Sequence, residues 1–194
     1  MDELEKMRSG DFYQLTAPEV EHYQEAGIIW NDEFRQGNNL DRPAQLLRLK
    51  MHLGALGDQA SFGTSFSCLN GPNIYIGHHF LAAGGLTIED AGEVHIGDYV
   101  TMGPNCLLTT IAHPRSTRQR RQRLAQAKRV EIGNDVCLGA GVTVLAGVKI
   151  GDNVVVEAGA VVAQDLPANG VFAGIPAGKS MIWPMIADKC QLVV

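Results

Sequence analysis

Aromatic residues are scarce in this chain: Phe, Tyr and Trp make up 6% of 194 residues. Rings dominate the packing of most α/β cores, so so few of them is unusual for an orthodox α/β domain. No apolar run approaches the ~18 residues that a membrane span needs. The opening residues, Met1-Asp2-Glu3-Leu4-Glu5-Lys6, are acidic and lack an apolar core, which predicts no signal peptide and a cytoplasmic protein. Cys68, Cys106, Cys137 and Cys190 lie far apart and form no C-x-x-C pair, so reduced thiols are expected. There is no basic excess either. Lys plus Arg is 16 against 21 for Asp plus Glu, a net charge of −5, which argues against a general nucleic-acid binder. With 45% apolar and 19% charged residues the chain is not disordered, and its length fits one domain. What it has in abundance is glycine, 22 residues.

The first sixty residues read as a helical cap. Thr16-Ala17-Pro18-Glu19 has the form of a capping box, with Pro18 in the first turn, where a missing N–H costs nothing. Val20, Tyr23, Gly27, Trp30 and Phe34 follow at helical spacing until Gly37-Asn38-Asn39. Asp41 and Pro43 open a second helix with Leu46, Leu49 and Leu53 on one side, and Gly54 and Gly57 end it. Such a cap shields the open end of a repeat domain, or lies over a binding site as a lid.

Further on, a six-residue period takes over. The units starting at Ile132, Leu138, Val144, Ile150, Val156 and Val162 each have apolar first and fifth residues, the fifth being Val136, Val142, Val148, Val154, Ala160 and Leu166. At 45% apolar composition, twelve such hits arise by chance about once in ten thousand trials. The fourth residues, Asp135, Gly141, Gly147, Asn153, Gly159 and Asp165, all tolerate a left-handed turn. An earlier block, Ile76, Ala82 and Ile88 then Ile96, Met102 and Leu108, shares the frame with two residues inserted around Ala91-Gly92. The basic stretch from Arg115 to Arg123 cannot line an apolar core, so residues 111–129 should leave the repeat as a loop. Short strands turning every six residues predict a mainly β fold: a left-handed parallel β-helix, a hexapeptide solenoid of about four coils over residues 61–180, followed by a tail, 181–194.

These residues resemble the hexapeptide-repeat acyltransferases, in particular the maltose and galactoside O-acetyltransferase group. The likeness runs through Met7-Arg-Ser-Gly10, Asn73-Ile-Tyr-Ile-Gly77, Leu86-Thr-Ile88, Ile96-Gly-Asp98, Gly103-Pro-Asn105, Ala112-His113-Pro114 and Ala173-Gly-Ile-Pro-Ala177. It implies a homotrimer with sites between adjacent solenoids, acetyl-CoA as donor, and His113 as catalytic base. A neutral imidazole takes the proton of a hydroxyl as it attacks a thioester, and backbone N–H groups of the turns hold the oxyanion. The other histidines, His22, His52, His78, His79 and His95, read as surface or packing residues.

The departures from that group bear on ligands. Positions that are polar where the relatives contact sugar fall on Leu15, Leu69, Ala83 and Ala91, so the small-molecule acceptor is expected not to be a simple hexose; Asn105 is retained beside them. On the donor side the family Trp is Cys137 and the Thr-Lys pair is Ala163-Gln164, with Lys179 as a displaced basic residue. Gly139, Ala140, Ala158 and Gly159 leave room for a pantetheine arm. Seven of the sixteen basic residues lie between Arg115 and Arg129 with no acid from His113 to Val130, and Arg118, Arg120, Arg121 or Arg123 is expected to meet a phosphate or carboxylate, unless the loop is a solvated excursion. A zinc enzyme on the same solenoid needs three spaced histidines, and His78, His95 and His113 lack that spacing; no metal is expected. The expected activity is O-acetyl transfer. The alternatives are a sugar acetyltransferase of the maltose/galactoside type and a trimeric solenoid that has lost turnover.

Overall fold

The computed structural model describes residues 1–36 and 42–182. Gly37-Asn38-Asn39, Asp41, Cys190 and all but the first two residues of the 181–194 tail lie outside the described residues. Helix α1 (Glu3–Ser9) and strand β1 (Phe12–Gln14) precede α2 (Pro18–Gln36) and α3 (Arg42–His52). The capping box is at α1 and not at α2: the Asp2 carboxylate accepts from the Glu5 N–H (2.7 Å) and the Glu5 carboxylate from the Asp2 N–H (3.0 Å). At α2 the helix starts one residue later than a Thr16 cap requires. Thr16 Oγ1 accepts from the Gln14 amide (3.1 Å), and Glu19 reaches the Glu3 N–H of α1 (3.3 Å).

The rest is a β-helix of three flat parallel faces. The first stacks β2 (Ala55–Leu56), β5 (Ile74–Ile76), β8 (Val94–Ile96), β13 (Val130–Ile132) and β16 (Lys149–Ile150). The second stacks β3 (Ser61–Phe62), β6 (Leu81–Ala82), β9 (Thr101–Met102), β14 (Cys137–Leu138), β17 (Val154–Val156) and β19 (Gly170–Ala173), with β20 (Gly178–Ile182) antiparallel at its end. The third stacks β4 (Ser67–Cys68), β7 (Thr87–Glu89), β10 (Leu107–Thr109), β15 (Thr143–Val144) and β18 (Val161–Val162). All twelve first- and fifth-position residues of the six regular hexads are buried. Five of the six fourth-position residues have φ between 56° and 85°. Asp165 does not; its carboxylate instead accepts the Lys149 N–H (2.8 Å).

Five complete coils and the start of a sixth are present, against the expected four. The extra coil begins at Ala55, ahead of residue 61, and carries Leu56, Ala60, Phe66 and Cys68 into the core, with left-handed Gln59 and Ser65 at its turns. The cap closes this first coil. Asn31 Nδ2 donates to the Cys68 carbonyl (2.7 Å) and Asn31 Oδ1 accepts the Cys68 N–H (3.1 Å), which satisfies part of the otherwise open edge strand β4. Trp30 lies flat on His52 (3.7 Å, 3°) and on Phe34 (4.9 Å), so the few rings gather at this end. Cys68 and Cys106 are buried free thiols, and Cys137 is buried as well. No described helix is long and apolar enough to cross a membrane.

Candidate active site

Between β10 and β13 the chain leaves the coil as β11 (Ile111–Ala112), α4 (Thr117–Arg121) and β12 (Leu124–Ala127). Strand β12 pairs antiparallel with β11 on one side and with β1 on the other, giving a small sheet outside the solenoid. Alternation along these strands sends Tyr13, Ala125, Ala127 and Ile111 to the inner face. There they join Met7, Ala17, Val20 and Ala91 in a second apolar cluster, with Leu15, Tyr23 and Leu69 half-buried against it. The Tyr13 hydroxyl is buried with no partner among the described residues, and burial, then the charge of Glu89, pushes its pKa up to about 12.

His113 follows β11 directly and is exposed; its ring makes no hydrogen bond among the described residues. It borders a hollow of about 340 Å³ on the outer face of the small sheet, together with Phe12, Ala112, Pro114, Arg115, Gln126 and Lys128. Gln126 is held by the Gly10 carbonyl (2.7 Å). The loop after His113 is stapled by Arg120, whose guanidinium donates to the carbonyls of Pro114 (3.2 Å) and Arg115 and to Thr117 Oγ1 (3.3 Å). Arg120 is therefore a structural cation and not a free anion contact. Arg129 is engaged as well, by Glu131 (3.1 Å) and Glu93 (3.8 Å) on the first face; Lys149 also reaches Glu131 (3.0 Å) and holds its carboxyl below the usual range.

The remaining candidates sort by corner. The turn from the third face to the first carries Leu69, Ala91, the excursion with His113, and then Ala163 and Gln164. The turn from the second face to the third carries Ala83, Asn105, Gly139, Ala140, Ala158 and Gly159. Asn105 takes the left-handed fourth position of its hexad (φ 60°). A Cβ added to Gly139 would lie 2.5 Å from the Ala158 nitrogen, so this corner stacks backbone on backbone. Lys179 lies on β20, opposite Phe172. One chain thus brings Leu15, Leu69 and Ala91 together near the His113 strand. It leaves the Gly139–Gly159 column on the other edge of the third face.

One feature here escapes a reading of residues alone. Asp90 is fully buried and accepts the N–H groups of Asn70 (2.8 Å) and Gly71 (2.7 Å); burial raises its pKa against those bonds. It ties the inserted turn of Ala91 to the turn of Leu69 one coil earlier. Of the other histidines, His79 stacks on Tyr99 (4.3 Å), His95 stacks on Tyr75 (4.5 Å), His78 Nδ1 accepts the Asp58 N–H (3.1 Å), and His22 is exposed. Among the described residues no three metal-ligating side chains gather.

Comparison with known proteins agrees with this architecture. Residues 129–164 match the family described as bacterial transferase hexapeptide (six repeats). The chain is 31% identical to the galactoside O-acetyltransferase of Escherichia coli over 91% of its own length and 87% of the relative's. It superimposes on a maltose O-acetyltransferase from Clostridium difficile with a TM-score of 0.89 (31% identity, 94% of this chain and 97% of that one). A galactoside acetyltransferase solved in complex with coenzyme A gives 0.87 (30% identity, 94% and 91%). The repeat, the cap, the excursion and these similarities converge: the chain belongs to the hexapeptide-repeat acetyltransferases, in the group of the galactoside and maltose O-acetyltransferases.

Proposed function

We propose that this protein transfers an acetyl group from acetyl-CoA to a hydroxyl of a small acceptor other than a simple hexose, with His113 as general base. The observation that carries this reading is the placement of His113. It is exposed, anchored by the small sheet at its back, and open to a hollow large enough for part of an acceptor. The residues suited to the donor are Gly139, Ala140, Ala158 and Gly159. The N–H groups of Ala140 and Ala158 find no partner among the described residues, so they suit amide oxygens of a pantetheine arm. A Cβ added to Gly141 or Gly159 meets nothing within 4 Å, so the rim of the column is open. Ala163, Gln164 and Lys179 complete the donor side. Lacking the family's usual charge at Gln164, this part binds the nucleotide end less strongly.

The neutral His113 imidazole removes the acceptor proton as the oxygen attacks the thioester carbonyl. The tetrahedral oxyanion is stabilised by backbone N–H groups. Its collapse breaks the carbon–sulfur bond, and the imidazolium returns its proton to the leaving thiolate. Because His113 and the donor column occupy opposite edges of the third face, a complete site requires a neighbouring solenoid, and the working unit is a homotrimer. Leu15 and Leu69, half-buried at the edge of the inner cluster, leave apolar surface there, with Ala83 and Asn105 contributed from the donor corner; Ala91 beside them is buried. An acceptor that needed four polar contacts for its hydroxyls would leave them unpaired there.

The test is His113→Ala. Acetyl transfer should fall about a hundredfold to ten-thousandfold, with CoA affinity near that of the parent. Parent-level turnover by the purified variant would overturn the base assignment. A parent that binds CoA yet acetylates nothing in a broad hydroxyl screen would favour a solenoid without turnover.

A further inference from the structure

Seven cations crowd the stretch from Arg115 to Arg129, and the structure divides them into two kinds. Arg120 is consumed by the loop's own carbonyls and Arg129 by Glu93 and Glu131. Arg115, Arg118, Arg121, Arg123 and Lys128 form no ion pair among the described residues. Of these five, Arg115 and Lys128 line the hollow at His113. The nearby carboxylate in sequence, Asp11, is engaged by the Ser9 hydroxyl (2.8 Å).

Both cations are on ordered backbone. Arg115 sits in the turn whose carbonyl Arg120 clamps. The Lys128 N–H donates to the Thr110 carbonyl (2.8 Å), and its aliphatic stem lies over Gly147, where an added Cβ would be 3.3 Å from Lys128 Cδ. The Phe12 ring, 40% exposed, and Ala112 supply an apolar wall, and Gln126 supplies an amide. A concave surface with an aromatic wall, a base, and two unpaired cations at fixed positions is complementary to an organic acid.

We propose that this hollow is an acid-binding subsite: the acceptor carries a carboxylate or phosphate that Arg115 and Lys128 hold while its hydroxyl meets His113. The proposal rests on His113 being the base, and it names the acceptor's chemical class. The anion belongs to the acceptor and not to CoA, because the pantetheine arm keeps the nucleotide phosphates at the far end from the reacting thioester. It also moves the anion contact from Arg118, Arg120, Arg121 and Arg123 to the two cations that border the base.

Inorganic phosphate is the probe, titrated against the full-length protein with binding followed on the phosphorus NMR signal of the phosphate itself. Saturable binding near the millimolar range is expected, weakening with salt. Arg115→Gln and Lys128→Gln should each weaken it about tenfold, while Arg118→Gln leaves it within twofold. In turnover assays, hydroxy acids should outperform their neutral methyl esters, and both variants should erase that preference. Absence of saturable phosphate binding overturns the subsite. So does a tenfold loss of CoA affinity in both variants with phosphate binding unchanged, which would assign the cations to the donor. His113→Ala separates the two readings: it keeps phosphate binding and loses transfer if both hold, and retained transfer would overturn only the base.

Discussion

Gly27 lies mid-helix in α2, where alanine is normally the better residue by about 1 kcal/mol. Here the sign should invert. A Cβ on Gly27 would overlap the Leu69 carbonyl oxygen and lie 2.7 Å from its carbon. Ordinary contacts need about 3.5 Å, so to clear the overlapped oxygen the helix must retreat by roughly 2 Å. Asn31, one turn along the same face, bridges both backbone groups of Cys68 at 2.7 and 3.1 Å and cannot follow without losing those bonds. Leaving a buried backbone N–H and C=O unpaired costs about 1–3 kcal/mol each. Overpacking without retreat costs about the same. Set against the helix gain, Gly27→Ala should lose about 1–4 kcal/mol, read as a lower urea midpoint with fluorescence of Trp30 as the probe. Asn31→Ala, which removes the bridge without the clash, should lose about 2–5 kcal/mol. If Gly27→Ala unfolds at the parent midpoint or later, the close docking of α2 on Leu69 is wrong.

Light scattering should give about three times 20.9 kDa, and a stable monomer at micromolar concentration would remove the shared site. Burial lowers the pKa of His52, whose Nε2 has no partner among the described residues. The unfolded chain therefore takes up the proton first, so His52 destabilises the fold as pH drops below about 6.5 and has no such effect above it. His52→Phe should flatten the urea midpoint between pH 7 and 5; an unchanged slope would refute this. Arg120→Ala removes the staple of the excursion, so trypsin should cut between Arg115 and Arg123 faster than in the parent, with global unfolding unaffected. Equal cleavage rates would show that the loop is held by other contacts.

Much of the fold is legible in the residues because a solenoid is local. Each hexad carries its own inward pair and its own left-handed turn, so Val136 and Asp135 or Val154 and Asn153 declare their places without distant partners. The first coil obeys the same rule, with Leu56 and Ala60 then Phe62 and Phe66. It is masked because the helix signal ends on Gly54 and Gly57 just where it begins. Position within the site is another matter. Sequence spacing groups Gly139 and Ala140 with Ala163 and Gln164, yet three faces separate them onto two corners, since a strand of two or three residues lies between consecutive turns. Charge counting treats the basic loop as one block. Only the folded loop shows that Arg120 closes on carbonyls and Arg129 on carboxylates, leaving Arg115 and Lys128 at the hollow. Asn31 and Asp90 look like ordinary polar residues in the chain, and tertiary contact makes one an edge clamp and the other an anchor for a turn. Residue identity by itself determined the repeat, its turns and the histidine; which side chains meet depended on how the coils stack and where the excursion folds back.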